Sequence, residues 1–285
     1  MTPGWRHPAP EGWYDIAYGA LAEDIGTGDI SAAVLKPDQT LKWVIEAQGN
    51  GVACGIGLAV GLLQPDPDDP VDCYAEASLE DGAQVSPGTV VAEGMCEASR
   101  LLARERTVLN FIMLLSGTAS LTRQFVDKVQ GLDVAVVDTR KTAPYLRSLL
   151  KYAVRCGGGK NHRMGLYDGV LLKDNHLRAV GSVREAVEAV KKVAGQMTLI
   201  EVECETMEQV EEAVGAGADI VMLDNMDPFM MKDAVKKFGK RIRLEASGGV
   251  TLETVRGVAQ TGVHAVSVGA LTHSAAALPF HLEIK

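Results

Sequence analysis

Four of the cationic side chains in one stretch of the chain, residues 138–176, are candidates to bind anions, and three of them lie just after the end of an apolar run. They are Arg140, Lys141, Arg163 and Lys173, and Arg106 is a candidate fifth. An arginine holds a planar carboxylate or a phosphate by two parallel hydrogen bonds, whereas a lysine supplies a point charge. The pattern predicts a pocket for a small molecule with several carboxylates or phosphates.

Acidic and glycine-rich groups end the apolar runs that follow. Glu203 and Asp224 come from consecutive runs, and two carboxylates beside a polyanion fit a shared Mg²⁺ or the stabilisation of a developing cation. They also fit ion pairs with nearby lysines. Two turns end the last runs, where barrels often bind phosphate through backbone N–H groups. They are Ser247-Gly248-Gly249 and Val268-Gly269-Ala270.

Histidine is a weaker signal in this sequence. His162 precedes Arg163 and fits a hydrogen-bonding or substrate-orienting role better than a general base, because no serine or cysteine nucleophile is placed to need one. His273 equally fits the stabilisation of a turn. One charge at a strand end is most often just the first solvated residue, but six polar strand ends in succession favour a site.

The elements that must position these groups alternate regularly after residue 130. Six apolar strands are predicted, with an amphipathic helix between each strand and the next: 134–138, 169–173, 198–203, 219–223, 242–246 and 263–268. Such repetition predicts a parallel sheet whose carboxyl ends meet at one edge. Six units favour a closed barrel over an open sheet, although periodicity alone leaves both open.

The first 130 residues follow a different pattern. Residues 1–98 read as α+β with mostly antiparallel strands, after a lead-in at 1–12 and with a proline-rich loop at 65–70. A long helix is predicted from about Ser99 to Gln130, with an interruption at Ser116-Gly117.

Composition excludes several classes of protein. The formal net charge of −9 argues against a surface for nucleic acid or anionic membrane, because binding phosphates needs an excess of lysine and arginine. No apolar run approaches the roughly 20 residues of a membrane span, and no signal core precedes the first helix, so we expect a cytoplasmic protein. The five cysteines are scattered, which favours buried, reduced thiols.

Several motifs together resemble the quinolinate phosphoribosyltransferase family, the nicotinate-nucleotide pyrophosphorylases of de novo NAD synthesis. They are EDIGTGDI (23–30), ERTVLNFIMLLSGTA (105–119), the whole stretch 138–176, EVE (201–203), MLDN (222–225), EASGG (245–249) and VGALTHS (268–274). The resemblance runs from about residue 13 to the end. One departure is Tyr145, which stands after Pro144 where the family commonly has glycine.

The resemblance implies an α/β fold of two parts. Residues 1–114 would form an open-faced α/β sandwich, and we expect the tail 275–285 to pack with it. Residues 115–274 would form an incomplete, TIM-like α/β barrel of six or seven strands. The family also implies a homodimer with shared active sites, or a higher oligomer built from it.

The resemblance further implies a reaction: quinolinate and 5-phosphoribosyl-1-pyrophosphate give nicotinate mononucleotide, pyrophosphate and CO₂, with Mg²⁺. The residues implied for quinolinate are Thr139, Arg140, His162, Arg163, Lys173 and, from the partner subunit, Arg106. Those implied for phosphoribosyl pyrophosphate are Lys141, Glu203, Asp224, Ser247, Gly248, Gly249, Val268, Gly269, Ala270 and His273. Lys141, Glu203 and Asp224 would be catalytic, and the two acids would hold Mg²⁺ directly or through water.

Three other functions stay open at this point. A related transferase would use nicotinate or another heteroaromatic acid, although two carboxylates need more cations than one. A barrel isomerase or aldolase would use Lys173 as a Schiff-base amine. A non-catalytic metabolite-binding protein would bind the same anions without turnover.

Overall fold

The computed structural model describes most of the chain: residues 9–36, 38–65 and 73–285. The predicted lead-in (1–12) and the predicted loop (65–70) fall largely outside this part. Within the described residues, no helix combines the length and the hydropathy that crossing a bilayer requires.

The chain divides into two compact units, and each is built from separate segments. Unit 1 comprises Met1–Arg123, Thr142–Gly158 and Leu271–Lys285, and unit 2 comprises Gln124–Lys141 and Gly159–Ala270. A single long helix, α3 (Ala98–Lys128), continues from unit 1 into unit 2, and the predicted boundary at residue 114 lies inside it.

An antiparallel sheet in the order β12-β1-β5-β3 forms the centre of unit 1. Its strands are β1 (Thr40–Ala47), β3 (Tyr74–Ala77), β5 (Val90–Glu97) and β12 (Phe280–Ile284), and β2 (Gly51–Val52) and β4 (Gln84–Val85) form a separate pair. Trp43 and Ile45 share one face of β1 and are buried, as expected of a strand packed on a core. The C-terminal strand β12 pairs with β1.

Four helices share one hydrophobic core with this sheet, as expected of the predicted α/β sandwich. They are α1 (Trp13–Ile25), α2 (Ile56–Leu63), α3 and α4 (Arg147–Cys156), with a short 3₁₀ helix at Ile30–Val34. Helix α4 follows the first barrel strand in the chain but belongs to unit 1, where Leu149, Tyr152 and Ala153 join the hydrophobic core. An amphipathic pattern shows that a helix buries one face but not which sheet it covers.

The predicted interruption of the long helix is wrong, because α3 is continuous through Ser116 and Gly117. A Cβ at Gly117 would collide with the backbone of Ala276. The glycine is needed for this close approach of two backbones and does not break the helix.

Six parallel strands form unit 2, in the order β6-β11-β10-β9-β8-β7. They are β6 (Ala135–Val137), β7 (Val170–Leu172), β8 (Ile200–Cys204), β9 (Ile220–Asp224), β10 (Arg243–Ser247) and β11 (Ala265–Ser267). Among the described strands no ladder joins β6 to β7, and an isolated bridge between Val137 and Lys160 extends the edge of β6. The unit is an incomplete α/β barrel with six strands, as predicted.

Helices follow the strands of the barrel from β7 onwards. They are α5 (Asp174–Val180), α6 (Val183–Lys191), α7 (Met207–Ala216), α8 (Pro228–Phe238), α9 (Val255–Ala259) and α10 (Ala270–His273). Polar side chains fix where several of them begin: Ser182 accepts from the N–H of Glu185, and Thr206 and Gln209 form a capping box. Such caps are typically worth about 1 kcal/mol each.

Candidate active site

A cavity of about 470 Å³ opens at the carboxyl ends of the barrel strands in unit 2. The predicted site residues that line it are Thr139, Arg140, Lys141, His162, Arg163, Lys173, Glu203, Asp224, Ser247, Gly248 and Gly249. The volume suits a small-molecule ligand. Other cavities of about 330 Å³ in unit 1 and 240 Å³ beside α5 lack these cations.

The remaining predicted residues are not in the wall of this cavity. Arg106 lies in α3 and His273 at the end of α10, and both belong to unit 1. The Nδ1 atom of His273 is 2.6 Å from the Oγ atom of Ser274, within hydrogen-bond distance. The segment 268–270 follows β11 in unit 2 without lining the cavity. The roles predicted for all of these residues stay predictions.

Two arginines form the cationic wall of the cavity. The Nε–H groups of Arg140 and Arg163 are buried and have no hydrogen-bond partner within the described part of the chain. Arg163 is oriented by its Nη1, which donates to the backbone oxygen of Gly169 at 2.9 Å. Burial lowers the pKa of Arg163, and the positive charge of Arg140 lowers it further. Both effects would be relieved by a bound anion.

Two carboxylates, those of Glu203 and Asp224, form an acidic wall of the cavity. Burial raises the pKa of Glu203, while the charge of Lys173 opposes this rise and that of Asp224 adds to it. The Nζ of Lys173 lies 3.9 Å from Oε2 of Glu203, so the predicted ion pair is present. Asn225 donates from Nδ2 to Asp224 at 2.8 Å. A pair of partly buried, mutually repelling carboxylates fits the oxygen ligands that Mg²⁺ prefers.

A tight glycine turn closes the cavity beside these acids. Gly248 and Gly249 have φ values of 105° and 58°, and Asn225 has 52°. A Cβ at Gly248 would collide with the side chain of Asn225, whose N–H donates to the oxygen of Ser247 at 2.9 Å. Only glycine allows this approach, and a turn without side chains also lets a ligand come close to its backbone.

Buried acids beneath the cavity were missed by reasoning from the sequence. Asp138, Glu201 and Glu245 are 0%, 3% and 5% exposed. Burial raises the pKa of Glu245 to about 7, and the charge of Glu201 contributes. A signal was present in the sequence, because Glu201 and Glu245 each stand two positions before a site residue within a predicted strand. Same-face residues on a strand are two apart.

Fold and site together define a class of protein: an α/β-barrel enzyme that acts on small anionic molecules at the carboxyl ends of its strands. Two family models match, described as the quinolinate phosphoribosyl transferase N-terminal domain over residues 29–116 and its C-terminal domain over residues 118–283. The chain belongs to the quinolinate phosphoribosyltransferase family and is a phosphoribosyltransferase.

Individual relatives agree over nearly the whole length. A Bacillus subtilis protein named as a probable nicotinate-nucleotide pyrophosphorylase (carboxylating) is 43% identical over 265 residues, which cover 92% of this chain and 90% of the relative. A chloroplastic Arabidopsis thaliana protein of that name is 40% identical, over 93% of this chain and 80% of its own. The crystal structure of nicotinate-nucleotide pyrophosphorylase from Ehrlichia chaffeensis has a TM-score of 0.90 at 36% identity, and both chains are fully covered.

Proposed function

We propose that this enzyme transfers phosphoribose from 5-phosphoribosyl-1-pyrophosphate to quinolinate and releases nicotinate mononucleotide, pyrophosphate and CO₂, a step of NAD biosynthesis. The observation that carries the proposal is the pair of half-buried arginines, Arg140 and Arg163, each with a buried Nε–H that lacks a partner among the described residues. Quinolinate has two carboxylates on adjacent ring carbons, and each arginine can bind one of them.

Each of the two substrates binds at a different part of the cavity. The arginines and Lys173 bind the pyridine dicarboxylate, with Thr139 beside them. The glycine turn at 247–249 binds the 5-phosphate, and Lys141 meets the pyrophosphate. Glu203 and Asp224 bind the ribose hydroxyls and hold Mg²⁺, directly or through water. When bound, Mg²⁺ supplies positive charge for the pyrophosphate leaving group.

The reaction needs positioning and charge rather than an enzyme nucleophile. The quinolinate nitrogen attacks C1 of the ribose, the C1–O bond breaks, and pyrophosphate leaves with the electron pair. Glu203 or Asp224 stabilises the positive charge that develops on the ribose. The ring nitrogen becomes cationic, so the bond to the 2-carboxylate can break with loss of CO₂. The electron pair left on the ring carbon then takes a proton from water.

A turnover assay with labelled substrate tests this proposal. Quinolinate labelled in the 2-carboxylate should release labelled CO₂ in equal amount to nicotinate mononucleotide and pyrophosphate, whereas label in the 3-carboxylate should stay in the product. Nicotinate offered instead should react poorly, because it leaves one arginine without a carboxylate. Release of no CO₂, or preferred use of nicotinate, would favour the related transferase.

Metal, assembly and location complete the proposal. We expect turnover to stop with a chelator and to return with added Mg²⁺. We expect a cytoplasmic homodimer whose active sites are shared, with Arg106 and His273 acting at an assembled site. Sedimentation velocity measures the oligomeric state and so tests whether the protein is a dimer. Mixing an Arg106→Ala variant with an Arg163→Ala variant tests sharing, because a mixed dimer should regain one intact site.

A further inference from the structure

We propose that Asp138 and Glu201 are positioning residues that hold His162 and, through it, the backbone of Arg163. We call Asp138, His162 and Glu201 together the brace. The inference deepens the proposed function and rests on it, because it concerns how one quinolinate-binding group is kept in place. It also gives His162 a different role from the substrate contact that the family resemblance implies.

Glu201 lies in the interior of the barrel, below the cavity. It shares a face of β8 with Glu203 and stands two residues earlier, so its side chain is one layer deeper. Barrel interiors are normally filled by branched aliphatic side chains, and a buried carboxylate is unfavourable unless it has partners. The Oε2 of Glu201 lies 2.7 Å from Nε2 of His162. A carboxylate at this place therefore supplies a directed hydrogen bond that an aliphatic residue would not.

The hydrogen bonds of His162 determine its tautomer. Nδ1 accepts from the backbone N–H of Arg163 at 2.7 Å, so this nitrogen carries no proton. The ring proton is then on Nε2 and is donated to Glu201. Both nitrogens are engaged within the chain, so His162 lines the cavity without a nitrogen left to bind a substrate carboxylate.

Asp138 holds the same segment from another strand. It is fully buried at the end of β6, and its carboxylate accepts from the N–H of His162 at 2.9 Å and from Nδ2 of Asn161 at 2.5 Å. Lys160, the residue before Asn161, forms two backbone hydrogen bonds at the edge of β6. Its N–H donates to the oxygen of Val136 at 2.8 Å, and its oxygen accepts from the N–H of Asp138 at 3.2 Å. The segment 160–163 is thus fixed from both β6 and β8.

A brace is needed because the residue after His162 is the charged Arg163. The guanidinium of Arg163 is repelled by that of Arg140, the charges of Glu201 and Asp168 offset part of this repulsion, and its Nε–H has no partner within the described residues. A long side chain in that situation would turn towards solvent unless its backbone and its Nη1 contact with Gly169 were fixed. The brace keeps Arg163 in the same cavity as Arg140 before quinolinate binds.

Substitutions at Glu201 test the brace by separating the two Michaelis constants. Glu201→Leu removes the acceptor and should raise the KM for quinolinate tenfold or more, while the KM for phosphoribosyl pyrophosphate stays within twofold. Glu201→Gln keeps an acceptor oxygen and should stay within threefold for both. Val202→Ala is the matched control, because it weakens packing on the other face of β8. It should lower the melting temperature and leave both KM values unchanged.

Two outcomes would overturn the brace: a folded Glu201→Leu variant with an unchanged quinolinate KM, or a Gln variant as impaired as the Leu variant. If Glu201→Leu does not fold, the wild-type protein provides a second test of the brace. ¹⁵N NMR of labelled histidines, assigned with His162→Gln, should show the Nε2–H tautomer, and an Nδ1–H tautomer or an imidazolium would contradict it. A wild-type enzyme without turnover would refute the proposed function but leave this NMR result standing.

Discussion

Replacing Arg163 tests whether the arginine pair binds a dicarboxylate. Its Nη1 donates to Gly169, which leaves the fork of Nε and Nη2 for a ligand. Hydrogen bonds between charged groups contribute about 1.5–3 kcal/mol each. Loss of two such bonds in Arg163→Ala should cost about 3–6 kcal/mol, or roughly 10²- to 10⁴-fold in kcat/KM for quinolinate. Arg163→Lys keeps the charge without the fork and should lose about half of that free energy.

Initial rates of CO₂ release, measured over a range of quinolinate at saturating phosphoribosyl pyrophosphate, give these values. The matched control is Arg243→Ala, because Arg243 is exposed at the amino end of β10, the end of the strand opposite the cavity. It should stay within twofold of wild type. A folded Arg163→Ala variant within threefold of wild type would refute the role of the arginine pair.

Three further predictions follow from the cavity and the acids beneath it. Burial raises the pKa of Glu245 from 4.5 to about 7, so the stability of the native state falls as the pH rises through that range. Glu245→Gln should therefore stabilise the protein by up to about 3 kcal/mol at pH 8 but little at pH 4.5. Urea unfolding at the two pH values measures this difference. Gly248→Ala should lower stability by about 1 kcal/mol or more and raise the KM for phosphoribosyl pyrophosphate, because it strains a φ of 105° and collides with Asn225. Glu203→Gln should raise the Mg²⁺ concentration for half-maximal rate, as a Mg²⁺ titration at fixed substrate shows.

Each of these has a contradicting result. Equal effects of Glu245→Gln at both pH values would show that its carboxyl group does not gain a proton on folding. An unchanged KM in Gly248→Ala would remove the turn from the phosphate site. An unaltered Mg²⁺ requirement in Glu203→Gln would leave Asp224 as the candidate ligand.

The arrangement of the strand-end residues could be predicted from the sequence for a physical reason. Parallel strands place their carboxyl ends at one edge of the sheet, so residues far apart in the chain, such as Arg140 and Asp224, meet there. The cavity brings both together. Periodicity of apolar residues is enough for this inference, because it depends only on strand direction.

The brace could not be predicted in the same way. Whether Glu201 is buried and paired depends on His162, which is 39 residues away in the chain and lies in a segment without regular structure. Gly117 shows the same limit, because a glycine that admits a neighbouring backbone looks like a helix break in the sequence.

Tyr145 is a local departure whose meaning also needed the structure. It has a φ of 67°, in the left-handed region that favours glycine, and its side chain is 78% exposed. An aromatic residue is rare in this conformation. A glycine would adopt this conformation without strain, which agrees with the glycine that the family resemblance implies after Pro144.

A crystal structure of the enzyme with bound quinolinate tests the central claim most directly. We expect one quinolinate molecule in the unit 2 cavity, with one carboxylate within hydrogen-bond distance of Nε of Arg140 and the other within reach of Nε of Arg163, and with His162 still bonded to Glu201. Quinolinate bound elsewhere, or bound in this cavity without contact to either arginine, would contradict the account.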